Sequence, residues 1–310
     1  MSSTRTARPI ARASGYSPRQ RFLATLLVTA LLGTTVSVLQ TSAATTAFRS
    51  RLPAHTITRL ASSESAFPVP SLPFFADKRN SINQLFVKRS WGWVTVIYVA
   101  YSLSLFLTAP LLTVDSKKRD SSTSTPSQPA IQLSPAAKTP FNLLVTSLRR
   151  YLLSSLFWFY LTQKTWFGTR TGPSISHRIL ESSGAVCVPS TLSSTATVAV
   201  PVCTGARGEY WRGGHDTSGH SFMMIHCSMF LFELVHPLLP SLFPRYFAAT
   251  SNRTQQRKLP VAVTVSAWAA IAVMGLCWWM LLMTSLFFHS PSEKLSGVAF
   301  GVLGWWVGGL

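Results

Sequence analysis

The sequence predicts an all-α, polytopic membrane protein with six transmembrane helices joined by flexible Ser/Thr-rich loops. Three observations carry that expectation. Of 310 residues only 12% are charged and 47% are hydrophobic, with a mean hydropathy of +0.27, whereas soluble domains run near about 25% charged. The apolar residues gather into runs close to the roughly 20 that a helix needs to cross a bilayer core, where only a structure that pairs its own backbone groups survives. The 28 Lys and Arg against 9 Asp and Glu give a net charge of +19, a balance common in nucleic-acid binders. Here the basic residues cluster between apolar runs, and no zinc-finger, RNA-recognition or basic-zipper spacing accompanies them. An anionic membrane surface or a phosphate-bearing lipid is the better-matched partner, and no nucleic acid is expected.

The first run, Phe22 to Gln40, follows a basic tail of residues 1–21 and precedes the small pair Ala43-Ala44, a layout shared with cleavable signals. Its length exceeds the core of about 7 to 15 residues that such signals carry, which favours an uncleaved helix. The second run is Trp91 to Val114. The third is Phe141 to Phe159 or Tyr151 to Phe167, with Arg149 and Arg150 either reaching to the interface or marking its start. Ser221 to Phe243, Leu259 to Phe288 and Leu295 to Leu310 complete a six-helix domain over residues 22–310. Residues 41–78, 115–140 and 170–206 are rich in Ser and Thr, poor in large apolar groups, and read as flexible loops. The second of these is a cytosolic linker and the third an insertion on the opposite side. No internal repeat is evident.

Orientation follows from Arg5, Arg8, Arg12, Arg19 and Arg21 ahead of the first run, which place the N-terminus, and after six spans the C-terminus, in the cytoplasm. The basic residues from Arg49 to Arg89 oppose this and weigh less because their loop is long. The sequon Asn252-Arg253-Thr254 then lies on the cytoplasmic side and is expected to stay unmodified.

Parity brings three chemically dense segments to the non-cytoplasmic side. NQLFVKRSWGW holds Asn83, Lys88, Arg89, Trp91 and Trp93; YWRGGHDTSGHSF holds Arg212, His215, Asp216, Ser218, Gly219 and His220; TSLFFHSPSEKLSG holds His289, Glu293 and Lys294. His220 and His289 thus stand at one depth. Lys88 and Arg89 beside tryptophans suit an interfacial anchor equally well, and the glycines suit a tight turn into a helix. Two His, one Asp, one Arg and three Gly within nine residues exceed what a turn requires. His289 taken alone reads as an ordinary interfacial histidine.

His226, Glu233 and His236 fall inside the fourth run, where ionisable groups are rare, and are read as packing or relay groups rather than direct chemistry. Cys227 and Cys277 read as packed thiols. Cys187 and Cys203 share the insertion, where an oxidising lumen would permit a disulfide. No Cys or His spacing reads as a zinc site.

The GHDTSGHSF, FFHSPSEKLSG and NQLFVKRSWGW blocks resemble the fat storage-inducing transmembrane family, particularly its fungal members, over residues 80–112, 141–168 and 209–304. The resemblance implies an endoplasmic reticulum protein with both ends cytosolic, a role in lipid droplet formation, and a lumenal site that cuts the pyrophosphate of fatty acyl-CoA. The products would be acyl 4′-phosphopantetheine and adenosine 3′,5′-bisphosphate. The implied site is similar to that of lipid phosphate phosphatases, Ser218-Gly219-His220 matching their SGH block and His289 with Glu293 their second histidine and acid. Their upstream Arg has no counterpart near Ser285, and Lys88-Arg89 matches their first block only loosely. The resemblance makes His289 the nucleophile, Glu293 its orienting acid and His220 the proton donor, with Asp216 holding either His220 or His215. Lys88, Arg212 and Lys294 are its candidate phosphate contacts, and neither metal nor cofactor is implied. A rival class, a non-catalytic protein that partitions diacylglycerol or triacylglycerol, rests on Trp158, Phe159, Trp268, Trp278 and Trp279, which ordinary membrane helices would also carry.

Overall fold

A computed structural model describes residues 17–51, 74–76, 80–120, 140–163, 165–166, 169–170, 173–188, 210–244 and 259–310. Helix α1 (Pro18–Arg51) is followed by a short α2 (Ser81–Leu85), which runs through a 3-10 turn at Val87–Arg89 into α3 (Ser90–Asp120). Then come α4 (Pro140–Thr162), α5 (Ile175–Ser182), α6 (Gly219–Val235), a short α7 (Leu239–Leu242), α8 (Val261–Phe287) and α9 (Pro291–Gly309). Two small antiparallel hairpins interrupt this helical chain. β1 (Thr165–Trp166) pairs with β2 (Thr169–Arg170), and β3 (Val186–Val188) pairs with β4 (Tyr210–Arg212), Cys187 lying opposite Trp211.

Four segments among the described residues are long and apolar enough to cross a membrane: Pro18–Ser42, Ser81–Thr108, Gly219–Leu242 and Val261–Phe287. Two of the six expected spans fall short of that combination. Helix α4 carries Arg149 and Arg150, and α9 has 19 residues and opens on Glu293 and Lys294. The bundle is apolar outside as well as inside. Leu31, Leu32, Val96, Phe106 and Val265 are 61 to 67% exposed, large apolar groups suited to lipid rather than water.

Helix α6 is the axis of the bundle. Every residue from Ser221 to Val235 is buried, as an all-round apolar helix requires. The other long helices pack around it in alternating directions. Arg19 near the start of α1 meets Glu233 at the end of α6, whereas Gly33 further along α1 lies against Ser285 at the end of α8. Trp91 at the start of α3 stacks on His226, and Tyr98, further along, packs against Phe230. Helix α4 begins near Glu233 through Arg150 and passes Phe222 at Phe157. Helix α9 runs alongside α6 on a stripe of Gly297, Gly301, Gly304 and Gly308. A Cβ on Gly301 would stand 2.8 Å from Ile225 Cβ, and one on Gly304 would stand 2.6 Å from His226 Nδ1. Small residues of this spacing let two backbones approach in a bundle that has no hydrophobic drive between lipid-bathed helices.

The ionisable groups inside α6 are packing groups. His226 is fully buried, lies 4.9 Å from Trp91 and directs Nε2 at the Ser154 carbonyl at 3.2 Å. Glu233 accepts from Arg150 at 2.6 Å and Arg19 at 3.0 Å and from the Trp305 indole at 3.3 Å. It thereby ties α1, α4, α6 and α9 at the end opposite His220, about 20 Å away along the helix.

Several loop expectations are corrected. Helix α1 continues past Gln40 to Arg51, and α3 continues into the linker as far as Asp120. The third span follows the Phe141 to Phe159 alternative. The insertion is not featureless: α5 and β3 form a folded unit with β4. Cys187 is disulfide-bonded and buried, His177 packs edge-on against Trp211 at 5.2 Å, and the chain turns at Gly214 with φ +74. What large apolar groups do not supply, the cross-link and the hairpin do. Cys227 and Cys277 are free and buried. Cys203, residues 121–139 of the linker, 189–206 of the insertion and the Asn252 sequon lie outside the described residues.

Candidate active site

The GHDTSGH block becomes a loop and the first residues of α6. Ser218 is the N-cap, its hydroxyl accepting the Ser221 N–H at 3.2 Å, which satisfies one of the orphaned amides of a helix start. Its own N–H donates to the Glu293 carbonyl at 3.1 Å. Ser218 is fully buried, so it builds the site rather than facing it. Gly219 follows, and a Cβ there would meet no atom within 4 Å. The space beside it belongs to a cavity of about 250 Å³ that His220 also lines, walled by Trp91, Trp158 and Met223 and rimmed by Lys88 and Arg89.

His220 is held on two sides. Its Nε2 lies 2.6 Å from Asn83 Oδ1; an amide oxygen only accepts, so Nε2 carries the hydrogen. Its ring stacks on Phe288 at 5.9 Å with 13° between planes. The next residue is His289, at φ +59 the one non-glycine residue with positive φ among those described. Left-handed backbone is costly for such a side chain and gathers at functional sites. Here it ends α8 and turns the His289 ring to within 6.4 Å of the His220 ring, centroid to centroid.

Glu293 joins the two histidine segments. It is the third residue of a capping box with Ser290 at the start of α9, its Oε2 accepting the Ser290 N–H at 2.8 Å while Oε1 accepts the Asp216 N–H at 3.1 Å. Oε2 also stands 3.6 Å from His289 Nδ1, an ionic distance rather than a close hydrogen bond. Burial by itself would raise the Glu293 carboxyl; the bonds from Ser290 and Asp216 and the neighbouring His289 outweigh it and hold the group below its ordinary value.

The remaining expected residues divide. Lys88 stands on the cavity rim, its Nζ donating to Gln84 at 2.9 Å. Arg212 is exposed on β4 opposite Val186, with no ionic bond to the histidine pair among the described residues. Lys294 is buried, burial lowers its ammonium below the ordinary value, and Nζ donates to the Ser285 carbonyl at 2.6 Å, capping α8. Asp216 contributes its backbone N–H to Glu293 and exposes its side chain. His215 turns away from it, sharing a 2.9 Å bond with Ser296 while its N–H donates to Ser183 at 2.6 Å. Two groups at the site had no chemical role in the sequence reading: Asn83 on His220, and Arg89 on the rim. Asn83 belongs to the NQLFVKRSWGW segment, but an asparagine beside basic and aromatic residues carries no signal of which histidine it will meet.

Two neighbouring imidazoles, one beside a carboxylate and one beside an amide, with cations on the cavity rim, are groups chemically able to carry phosphoryl transfer. The sequence profile of the family described as fat storage-inducing transmembrane protein matches residues 71–307. The chain is 27% identical over 236 residues to the Schizosaccharomyces pombe protein named acyl-coenzyme A diphosphatase fit1, which covers 75% of this chain and 71% of that one. It is 26% identical over 241 residues to the Xenopus tropicalis protein named acyl-coenzyme A diphosphatase FITM2, covering 77% and 72%. It is 31% identical over 100 residues to the Mus musculus protein of the same name, covering 32% and 34%. No solved structure matches. Asn83, His220, His289 and Glu293 all lie within the residues that the profile matches, and the chain belongs to the fat storage-inducing transmembrane family of membrane proteins.

Proposed function

We propose that this chain is a fatty acyl-coenzyme A diphosphatase of the endoplasmic reticulum membrane, releasing acyl 4′-phosphopantetheine and adenosine 3′,5′-bisphosphate and supporting lipid droplet formation. The observation that carries the proposal is the pairing of His220 with His289 at 6.4 Å across the ends of two helices. In-line transfer asks for a nucleophile about 3 to 3.5 Å from phosphorus and an acid about 2.6 to 3.2 Å from the leaving oxygen. Two imidazoles on either side of one phosphoryl group answer that demand, and the centroid separation is on that scale.

Glu293 faces Nδ1 of His289 and so keeps the proton there, leaving the lone pair on Nε2. Nε2 attacks one phosphorus of the pyrophosphate; an N–P bond forms and the P–O bond to the bridging oxygen breaks. His220, as the imidazolium, gives that oxygen the proton on Nδ1, its Nε2–H being held by Asn83. Water then attacks the phosphohistidine, His220 takes the water's proton, and His289 Nε2 leaves with the electron pair. Phosphoryl transfer otherwise requires positioning and positive charge, which Lys88 and Arg89 on the rim and the first-turn N–H groups of α6 supply. The open position at Gly219 leaves room for the phosphate. Lys294 supports the site by capping α8, and Arg212 would reach the phosphates only through the β3–β4 hairpin.

Six spans with both termini cytosolic and the histidines lumenal fit the alternating directions of the long helices. At 23 and 19 residues, α4 and α9 are about 34 and 28 Å long, close to the hydrocarbon thickness of about 30 Å. A long acyl tail would partition into that layer at about 0.8 kcal/mol per buried methylene and bring the pyrophosphate to the interface. The test is purified protein with His220→Ala and His289→Ala made separately. Both should lose hydrolysis of acyl-CoA at a temperature where each variant is still folded; turnover by His289→Ala removes the nucleophile assignment.

A further inference from the structure

We infer that Asn83 is a positioning residue for His220, an amide partner that holds one proton on Nε2 and so leaves Nδ1 as the ring nitrogen that gives up and takes back a proton. The inference rests on the reaction proposed above and concerns the same site.

Asn83 is built to hold one position. It lies on α2, 2% exposed, with its N–H donated to the Asn80 side chain at 2.7 Å, and Asn80 is itself a buried N-cap. Phe86 and Val87, both buried, close the segment just before α3. A side chain so fixed can aim Oδ1, and it meets His220 Nε2 at 2.6 Å across 137 residues of sequence. Phe288 sets the ring plane by stacking, and Asn83 sets the rotation within it.

The two histidines therefore have chemically different partners. His289 faces a carboxylate, which favours the cation formed when its other nitrogen bonds phosphorus. His220 faces a neutral amide, which accepts the N–H without adding a negative charge. A proton donor that had a carboxylate behind it would release its proton less readily, and one with no acceptor would turn freely between tautomers. Among the described residues, the charged and titratable groups near the His220 ring include Lys88 and Arg89 across the cavity and His289 with Glu293 on the α8–α9 side.

The full chain, carrying ¹⁵N-labelled histidine in detergent micelles, provides the first measurement, with the His220 ring signals identified by their loss in His220→Ala. Neutral His220 should hold its proton on Nε2. Asn83→Leu should abolish that preference, and Asn83→Asp should keep it. The second measurement is hydrolysis of a fatty acyl-CoA against pH. Asn83→Leu should lower kcat about 10- to 100-fold, the range for loss of an orienting partner, with KM little changed. Asn83→Asp restores the acceptor with a charge that favours the imidazolium, so the alkaline limb should move up by about one pH unit or more. A neutral His220 protonated on Nδ1 in the wild type, or an Asn83→Leu protein with unchanged tautomer and kcat, overturns the inference. Should Asn83→Leu fail to fold, an Asn83→Asp protein with an unmoved alkaline limb overturns it. Wild-type protein that leaves acyl-CoA intact refutes the proposed reaction instead, and the tautomer measurement then decides this inference by itself.

Discussion

Replacing Glu293 by glutamine separates the structural and chemical work of one side chain. The carboxylate accepts the Ser290 N–H at 2.8 Å on one oxygen and the Asp216 N–H at 3.1 Å on the other. Glutamine has one acceptor, so one of these amides must face an NH₂ group and lose its bond. A hydrogen bond to a charged acceptor contributes about 1.5 to 3 kcal/mol, and Glu293 is partly exposed, which favours the lower figure. The variant should therefore unfold at a temperature several degrees below wild type. The chemical loss is the charge 3.6 Å from His289 Nδ1. Coulomb's law gives that pair about 1 kcal/mol at the dielectric of water and about 4 to 5 kcal/mol at an effective value near 20. With each tenfold in rate worth about 1.4 kcal/mol, those limits correspond to a fall in kcat of about 5-fold to about 1,000-fold. Thermal unfolding in detergent and acyl-CoA hydrolysis below the unfolding temperature read the two effects separately. Wild-type stability together with wild-type kcat in Glu293→Gln would refute the reasoning, because no other described residue is placed to supply both bonds and the charge.

Further outcomes follow from the same contacts. Because the folded-state pKa of Glu293 is depressed, its contribution is full above the ordinary glutamate pKa and is lost as pH falls through the lower folded value; Glu293→Gln should be less sensitive to acid unfolding than wild type over that window. Glu233→Ala leaves Arg150 with no carboxylate partner in a buried cluster, a change that costs about 3 to 5 kcal/mol for buried pairs and should show as a large drop in unfolding temperature. Gly301→Leu must displace Ile225, whose Cβ already lies 2.8 Å from the position of a first side-chain carbon, and should destabilise by about 1 to 3 kcal/mol. A Cβ on Gly219 meets no described atom within 4 Å, so Gly219→Leu should fold while filling the phosphate space, and KM for acyl-CoA should rise with the unfolding temperature little changed.

The helices were legible because composition alone identifies a segment that must bury every backbone bond in lipid. The runs from Phe22, Trp91, Ser221 and Leu259 became helices with limits within about ten residues of those expected. Parity then sufficed to bring the segments holding Lys88, His220 and His289 together, since alternating helices leave three turns at one end. The spacing of Gly297, Gly301, Gly304 and Gly308 is present in the sequence, but which helix the stripe faces depends on the packing of α6 and α4. The folded insertion was hidden because a disulfide and a hairpin with Tyr210–Arg212 hold it, not an apolar core. Lys294 could not be separated from a phosphate contact by residue type, because the same ammonium serves a helix carbonyl equally well. His289's left-handed backbone has no sequence signal at all, since the residue is not a glycine. The Asn83 contact links residues 137 positions apart and depends on Asn80 and the turn through Val87–Arg89.

The most direct test of the account is product analysis by mass spectrometry after purified protein is incubated with a long-chain fatty acyl-CoA. The wild type should release acyl 4′-phosphopantetheine and adenosine 3′,5′-bisphosphate in equal amounts, and the His220→Ala, His289→Ala double variant folded in the same detergent should release neither. Release of free fatty acid and CoA, or equal product from the double variant, would contradict the proposed reaction.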